Sequence, residues 1–279
     1  MSESTSTLSS KRLVCRSTGA TNVGSVRTNN EDNFLVAAKE QVLVVADGMG
    51  GAAKGEVASS IVIKVFDTAL GLASELNWES EEQIGAALLA AIATADEQIR
   101  SHASLNPACE GMGTTVVAMA YLKEFVHIAH IGDSRAYLMR EGALTQLTQD
   151  HTFVASLGLS QEQAEKHPLR HVLTRALGHR GQPAHSHFAP QDGDLILLCS
   201  DGLSGKLSAA SIGQILQGGS ENDLPAMANR LIDETLKSRA EDNVTVVLAR
   251  LSKPQAEASS RRRRPGLGWL IAALRTCFG

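Results

Sequence analysis

The feature that most constrains this chain is a strand that ends on an acid and opens into a glycine-rich turn. Residues 41–55 read Q-V-L-V-V-A-D-G-M-G-G-A-A-K-G. The apolar run at 42–46 predicts a strand buried on both faces, because it lacks the alternation of a half-exposed strand. Asp47 follows directly, and the glycines after it allow a sharp turn and close approach to a ligand. From residue 56 onward, apolar residues recur every four positions, which predicts a helix.

Two phosphate-binding patterns are close to this turn, and neither fits it. Residues 48–53 formally satisfy G-x-G-x-x-G/A, but Asp47 would then place a carboxylate beside the pyrophosphate of a dinucleotide. Asp67, the acid about 20 residues further on, lies within the helical pattern instead of after a second strand. Lys54 is not followed by Ser or Thr, which excludes a P-loop. The turn is therefore either an ordinary strand-to-helix turn with a capping acid or a cation site.

The composition indicates the class of protein. With 43% hydrophobic and 20% charged residues, the 279-residue chain resembles a soluble globular protein. The four cysteines form no C-x-x-C pair, and the polar N-terminus lacks an apolar signal segment, so we expect a cytoplasmic protein. The net charge is −4, and because residues 253–279 carry +5, residues 1–252 carry −9. An acidic body with a basic tail argues against nucleic-acid binding.

The rest of the chain alternates between strand-rich and helical patterns. Helices are predicted at 56–73, 81–103, 208–217 and 223–238. Strands are predicted at 42–46, 114–122, 125–131, 136–139, 194–199 and 244–251. Residues 1–11 are Ser/Thr-rich and predicted to be disordered. Residues 150–191 lose the strand pattern and contain three prolines, which predicts an inserted flap. His127 and His130 have no partner at metal-ligand spacing, so we interpret them as packing residues.

Four predicted strand edges each carry an acid. These acids are Asp47, Asp133, Asp201 and Asp242, and three of them have glycine adjacent. Clustered carboxylates repel each other and raise one another's pKa unless a cation compensates them, so four such edges indicate a shared cation site. A polar segment with Arg27, Glu31 and Asp32 precedes the Asp47 strand, and a hairpin would bring it alongside that strand. The alternative for this segment is a solvated turn.

These motifs resemble those of the metal-dependent protein serine/threonine phosphatases (PPM family, type 2C), particularly bacterial members. The resemblance rests on G-S-V-R-T-N-N-E-D, V-V-A-D-G-M-G-G, G-M-G-T-T, H-I-G-D-S-R-A-Y, D-H-T, L-T-R-A-L-G, C-S-D-G-L and E-D-N-V-T. Each motif alone is weak, whereas their number, order and spacing are specific. The resemblance implies an α+β fold, a four-layer α-β-β-α sandwich of two mostly antiparallel sheets flanked by helices. Its domain would span residues 12–252, with the flap at about 150–191.

The resemblance also implies roles for individual residues. The implied ligands are Asp47, Asp201, Asp242 and the Gly48 carbonyl for a two-metal centre, and Asp133 with Asp201 for a third, weaker metal. Glu31 and Asp32 would hold metal-bound waters, and Arg27 would bind the phosphate. Such oxygen ligands fit Mn²⁺ or Mg²⁺. The two ions would activate a water for in-line attack at phosphorus, so no side-chain nucleophile is needed.

The sequence departs from the family pattern at the general acid. Family members commonly carry a histidine at the position of Met49 or of Ala52, and this chain has none there. Protonation of the leaving alkoxide would then fall to metal-bound water or to His151.

The function implied by the resemblance is metal-dependent hydrolysis of phosphoserine and phosphothreonine in proteins, opposing a bacterial-type serine/threonine kinase. Two alternatives stay open. A two-metal phosphodiesterase would share the acids but would not need Arg27. A catalytically silent phosphoprotein-binding module would not need the complete set of aspartates.

The C-terminal tail predicts a separate property. Residues 261–279 combine four consecutive arginines with an apolar run at 267–274, which is far shorter than the ~20 residues that span a bilayer. Arginines attract anionic headgroups, and the apolar side chains could enter the interface. Our hypothesis is a flexible linker at 253–260 and a peripheral membrane anchor at 261–279. Docking of the tail on the domain or on a partner is the alternative.

Overall fold

The computed structural model describes residues 13–254, except 38, 40, 51–53, 76–77, 160–162, 164–165, 180 and 220–222. The predictions for residues 1–11 and for the tail from residue 255 onward lie outside the described residues.

Eleven strands in the described part of the chain form two antiparallel sheets. The strands are β1 (Val14–Asn22), β2 (Asp32–Ala37), β3 (Val42–Met49), β4 (Gly113–Thr114), β5 (Val116–Leu122), β6 (Phe125–Ile131), β7 (Arg135–Arg140), β8 (Ala143–Gln146), β9 (Ala184–Phe188), β10 (Leu195–Cys199) and β11 (Val244–Ser252). Sheet I has the order β1-β11-β10-β7-β8. Sheet II has the order β2-β3-β5-β6-β9, with the short β4 also paired to β3.

Helices cover the outer face of each sheet. They are α1 (Gly55–Leu70), α2 (Glu81–Leu105), α3 (Phe153–Ser156), α4 (Asp201–Ser204), α5 (Ala209–Gln217) and α6 (Leu224–Lys237). Ser208 and Asp223 cap α5 and α6, because their side chains accept hydrogen bonds from backbone N–H groups of the first turn. Among the described helices, none combines the length and the apolar character needed to cross a bilayer.

Three apolar cores separate the four layers. One core lies between sheet II and helices α1 and α2, and a second lies between sheet I and helices α5 and α6. The third joins the two sheets. In β3, Val44 packs in the helix-side core while Leu43 and Val45 pack between the sheets, which is why this strand has no polar face. The predicted α-β-β-α sandwich is therefore confirmed.

The structure corrects the extent of the flap. β9 lies within the predicted flap at 150–191, yet it pairs antiparallel with β6 and extends sheet II. Its sequence A-H-S-H-F places two polar imidazoles on one side, so an apolar pattern could not reveal it. The inserted region between the sheets therefore ends before residue 184. β1 and β8, both edge strands of sheet I, were likewise absent from the predicted strands.

Candidate metal centre

The backbone of Asp47 is fixed by the strand that follows α2. The N–H of Asp47 donates to Thr115 Oγ1 at 3.2 Å, and its carbonyl accepts from Thr115 N at 2.9 Å and from Thr114 Oγ1 at 2.9 Å. On the other side Asp32 lies opposite Asp47 in the β2–β3 register. The G-M-G-T-T motif thus holds the acid at the end of β3, which sequence spacing alone could not show.

The turn after Asp47 requires glycine for reasons of space. A Cβ at Gly48 would overlap the carbonyl oxygen of Gly55 and lie 2.6 Å from that of Glu31. Gly48 N also donates to the Glu31 carbonyl at 3.2 Å. At Gly50 the backbone φ is 144°, a conformation that other residues rarely adopt. The start of α1 therefore packs directly on the end of β3, as predicted for a turn that allows close approach.

The other three acids reach the same place from separate strand ends. Asp133 follows β6 after Gly132, whose φ is 106°. Asp201 begins α4 directly after β10, and Asp242 precedes β11. β10 and β11 are antiparallel neighbours in sheet I, so the end of β10 lies beside the start of β11. Asp201 and Asp242 therefore lie together at this end of the two strands, and they line the same cavity as Asp47 at the end of β3 in sheet II.

Burial and mutual repulsion raise the pKa of three of the clustered carboxyl groups, those of Asp47, Asp133 and Asp201. Removal from solvent, followed by the charges of Asp32, Asp201 and Asp133, raises the pKa of Asp47 well above its ordinary value. Removal from solvent is also the first cause that raises the pKa of Asp133 to about 8. It raises the pKa of Asp201 too, with Asp242 as the next cause. The side chain of Asp47 acts in the opposite direction on Asp201 and partly offsets this rise in pKa.

Arg27 and the two predicted water-holding acids lie in the same region. Arg27 Nη2 is 2.9 Å from Asp242 Oδ2. Glu31 lines the cavity, and removal from solvent raises its pKa. Asp32 is only 4% exposed and is not among the described lining residues, but it accepts a hydrogen bond from Ser200 Oγ at 2.7 Å. Removal from solvent raises its pKa to about 6.

Asn243 holds the polar segment in place, a role that the sequence did not indicate. Its side chain accepts from Glu31 N at 2.8 Å and donates to the carbonyls of Val23 and Asn29, both at 2.9 Å. This buried amide therefore ties the segment that carries Arg27 to the start of β11, beside Asp242. The prediction that a hairpin brings this segment beside β3 is correct, and Asn243 of the E-D-N-V-T motif holds the segment there.

The four aspartates at the strand ends, together with Arg27 and Glu31, border one cavity of about 480 Å³. Its lining residues are Arg27, Glu31, Asp47, Gly48, Met49, Gly50, Thr115, Asp133, His171, Leu173, Thr174, Arg175, Ala176, His179, Asp201 and Asp242. The strand ends supply the acids, and the flap supplies residues 171–179. The structure thus brings Asp47, Gly48, Asp133, Asp201 and Asp242 to one cavity with Arg27 and Glu31, whereas Asp32 is not among the described lining residues.

The donor set fits a hard divalent cation. The acids at the strand ends offer only oxygen ligands, which suit Mg²⁺ and Mn²⁺ and do not suit a soft metal. Their raised pKa values reflect burial first and repulsion second, and a bound cation would offset both by favouring the charged carboxylates. Within the residues that the structure describes, no three acidic, imidazole or thiol groups already stand in a ligating arrangement.

His151, the predicted proton donor, does not fit that role. It is 8% exposed and is not among the described residues that line the cavity. Its ring stacks on His130 with centroids 4.8 Å apart, and its Nδ1 accepts from Gly132 N at 3.2 Å. Removal from solvent, then His130 and Arg175, lower the pKa of His151 to about 4. At neutral pH it is an uncharged packing residue that supports the Asp133 turn.

His130 and His127 behave as predicted. Both are buried, and His127 stacks between His185 and His187 of β9 with ring centroids 5.5 Å apart in each case. Ala52 is the second position at which the sequence lacks the histidine common in the family pattern, and it lies outside the described residues.

Comparisons with known proteins place the chain among phosphatases. A family model described as Protein phosphatase 2C matches residues 22–254. The chain is 40% identical over 242 residues to the serine/threonine protein phosphatase PstP of Mycobacterium tuberculosis, which covers 85% of this chain and 45% of PstP. It is 36% identical over 237 residues to the serine/threonine phosphatase stp of Listeria innocua, which covers 82% of this chain and 92% of that protein. The chain thus spans less than half the length of PstP.

Solved structures agree with this placement. The crystal structure of M. tuberculosis PstP/Ppp has a TM-score of 0.77 at 40% identity, covering 86% of this chain and 100% of that chain. A structure of the PstP catalytic domain in complex with two manganese ions has a TM-score of 0.76 at 37% identity, covering 86% and 99%.

Proposed function

The chain belongs to the protein phosphatase 2C family, and we propose that it hydrolyses phosphoserine and phosphothreonine in proteins with the help of Mn²⁺ or Mg²⁺. The observation that carries the proposal is the meeting of four aspartates from four strand ends in one cavity that also contains Arg27. Repelling carboxylates are unfavourable for folding unless a bound cation compensates them. A guanidinium beside them would orient a phosphate group.

We assign the roles within the cavity as follows. Asp47, Asp201, Asp242 and the Gly48 carbonyl would hold two cations, and Asp133 would help to hold a third. When bound, the cations supply the Lewis acidity that activates water and neutralises charge on the phosphoryl group. Arg27 would move from Asp242 to the phosphate, because a cation at Asp242 removes the charge that Arg27 now pairs with.

Residues in and beside the cavity fix these groups. Thr114 and Thr115 hold the Asp47 backbone, and Asn243 holds the segment that carries Arg27 and Glu31. Such preorganisation matters because small displacements of charged groups from the reacting geometry cost large factors in rate.

The test uses p-nitrophenyl phosphate and a phosphoserine peptide, each with Mn²⁺, Mg²⁺ or EDTA. Asp47→Asn and Asp201→Asn should each lower the Mn²⁺-dependent rate by at least about 10²-fold, which corresponds to about 2.7 kcal/mol of lost transition-state stabilisation. Asp233→Asn, an exposed aspartate on α6, is the matched control and should keep full activity. Activity of Asp47→Asn without added metal would refute the proposal.

The same assay separates the two alternatives. Faster hydrolysis of bis(p-nitrophenyl) phosphate than of the monoester would identify a two-metal phosphodiesterase. Binding of the phosphopeptide with no turnover of either substrate under any metal would identify a phosphoprotein-binding module.

We further propose a cytoplasmic enzyme that opposes a serine/threonine kinase. Cys109 and Cys199 are buried thiols without a disulfide in the described part of the chain, as suits a reducing compartment. Phosphoproteomic comparison of a strain that carries Asp47→Asn with its parent would identify the substrates. Sites that accumulate phosphate only in the variant, and lose it when one kinase is deleted, would name the partner. No accumulation of phosphoserine or phosphothreonine would contradict the assignment.

For the tail, we propose that residues 261–279 bind anionic membrane surfaces without affecting catalysis. Four arginines would contribute about 1 kcal/mol each at such a surface. The full chain should sediment with anionic liposomes at low salt, and a chain truncated after Ser252 should stay in the supernatant with unchanged activity. A variant with glutamine at residues 261–264 tests the charge term. Full-length protein that does not sediment at low salt would refute the anchor.

A further inference from the structure

Neither Met49 nor His151, the two described positions that the sequence connects with the proton donor, supplies a proton to the cavity. Met49 lines the cavity, but a thioether has no proton to give. His151 is buried at the start of the flap, is uncharged at neutral pH and is not among the described residues that line the cavity. Hydrolysis of a phosphoserine needs a proton for the leaving alkoxide, and besides metal-bound water a side chain of the cavity can supply it.

In-line displacement limits where this donor can lie. The attacking and leaving oxygens stand on opposite sides of phosphorus, so water activated at the carboxylates leaves the alkoxide on the side turned away from them. The cavity wall that does not come from the strand ends is formed largely by residues 171–179 of the flap. This segment is the place to search for the donor.

Residues 171–179 are fixed to the body of the protein by backbone bonds. Leu177 and Thr114 exchange two hydrogen bonds, at 2.9 and 3.2 Å. Thr174 N donates to the His151 carbonyl at 2.8 Å, and Gly178 N donates to Asp96 Oδ1 at 2.8 Å. Side chains on such a segment keep a defined position relative to the carboxylates, which a catalytic group requires.

Few side chains of this segment can donate a proton to a substrate. Leu173 and Ala176 are apolar, and the hydroxyl of Thr174 is already bonded to the His151 carbonyl at 3.0 Å. Arg175 does not release its proton in proteins, so it can bind an oxyanion but cannot act as an acid. His171 and His179 remain, and both are exposed to solvent.

The surroundings of the two histidines distinguish them. His171 lines the same cavity as Asp201 and Asp242, and a positive charge on its ring would lower the pKa of the Asp201 carboxyl. The ring of His179 instead packs on the backbone of Gly113, where an added Cβ would lie 2.7 Å from its Cδ2. Gly113 pairs with Met49, so His179 closes the end of the cavity beside the turn.

We propose that His171 is the catalytic residue that protonates the leaving seryl or threonyl oxygen, an inference that rests on the proposed phosphatase function. As the bond from phosphorus to that oxygen breaks, the imidazolium proton moves to the oxygen, while the oxygen of water forms the new bond to phosphorus. The proton that the water loses passes to solvent. His171 regains a proton from solvent, which reaches it because the residue is exposed.

The test compares His171→Asn with His179→Asn on three kinds of substrate in Mn²⁺. These are p-nitrophenyl phosphate, a series of phenyl phosphates with progressively poorer leaving groups, and a phosphoserine peptide. His171→Asn should lower kcat on the peptide by about 10²-fold to 10³-fold and change kcat on p-nitrophenyl phosphate by less than about threefold. Its rate should fall more steeply along the phenyl series than that of the parent. KM, inhibition by inorganic phosphate and the melting temperature should be unchanged.

Two further observations separate a chemical role from a structural one. Added imidazole should restore peptide hydrolysis in His171→Ala, because the position is open to solvent, and His171→Gln should remain as impaired as His171→Asn. Equal losses on all three substrates would overturn the assignment, as would a steeper phenyl series in His179→Asn in place of His171→Asn. If the parent hydrolyses none of the substrates with metal, the phosphatase function itself fails. If the parent is active and His171→Asn is indistinguishable from it, only the assignment of His171 fails.

Discussion

Replacing Asp32 by asparagine should stabilise the metal-free protein above neutral pH. Asp32 is 4% exposed, lies opposite Asp47 in the sheet register and accepts a hydrogen bond from Ser200 Oγ. Burial, followed by repulsion from Asp201 and Asp242, raises its pKa to about 6, against an ordinary value of 3.8. Asparagine keeps an oxygen that can accept the bond from Ser200 and removes the charge. The substitution thus isolates the electrostatic cost of this carboxylate.

The sign and the size follow from the two pKa values. Between pH 3.8 and about 6 the folded protein retains the proton of Asp32 while the unfolded chain loses it, so stability falls as pH rises through this range. Above about pH 6 both states are ionised, and this group adds no further change. The difference of about two pH units corresponds to about 3 kcal/mol, at about 1.4 kcal/mol per unit. Asp32→Asn should therefore match the parent near pH 4 and exceed it by about 3 kcal/mol at pH 8.

Urea unfolding in EDTA at pH 4, 6 and 8 would measure this difference directly. The same variant should gain less stability from Mn²⁺ than the parent does, because part of the charge that the cation neutralises is gone. Ser200→Ala is a useful control, since it removes the bond to the carboxylate and keeps the charge. A variant that is less stable than the parent at pH 8 in EDTA, or a pH dependence identical to that of the parent, would refute the reasoning.

Three further predictions concern other parts of the site and its support. Gly48→Ala should destabilise the protein by about 1–3 kcal/mol and abolish activity, because the added Cβ would overlap the carbonyl of Gly55. Gly213→Ala in α5 is the control: the nearest atom to its added Cβ is 3.7 Å away, so it should be neutral or stabilising in the same urea assay. Asp133→Asn should lower Mn²⁺-dependent turnover while the melting temperature still rises with Mn²⁺, and loss of that rise would place Asp133 in the two-metal core. Burial, then His185 and His187, lower the pKa of His127 to about 4. The protein should therefore lose stability as pH falls from 6.5 to about 4, and urea unfolding of His127→Phe should show a smaller loss over this range.

Much of the fold follows from local pattern. Strands buried on both faces, such as β3 and β10, have uninterrupted apolar runs, and helices α1 and α2 have apolar residues at helical spacing, so their ends are predicted within a few residues. The strands that escape prediction are edge strands with one solvated face. β9 is the clearest case, because its two histidines face His127 of β6 and only the pairing shows that they belong to a sheet.

The candidate site likewise has one part that the sequence predicts and one part that it does not. Its acids are predictable because each one directly follows or precedes a strand whose apolar run marks it, so position in the chain nearly determines position in the fold. The wall formed by residues 171–179 has no such marker, since its place depends on backbone bonds to Thr114 and His151, each more than twenty residues away in sequence. A histidine in a segment without periodicity can be a packing residue, like His151, or can line the cavity, like His171, and only tertiary bonds decide which. For this reason the sequence indicated the cluster of carboxylates, whereas it could not show that His151 is buried away from the cavity and that His171 lines it.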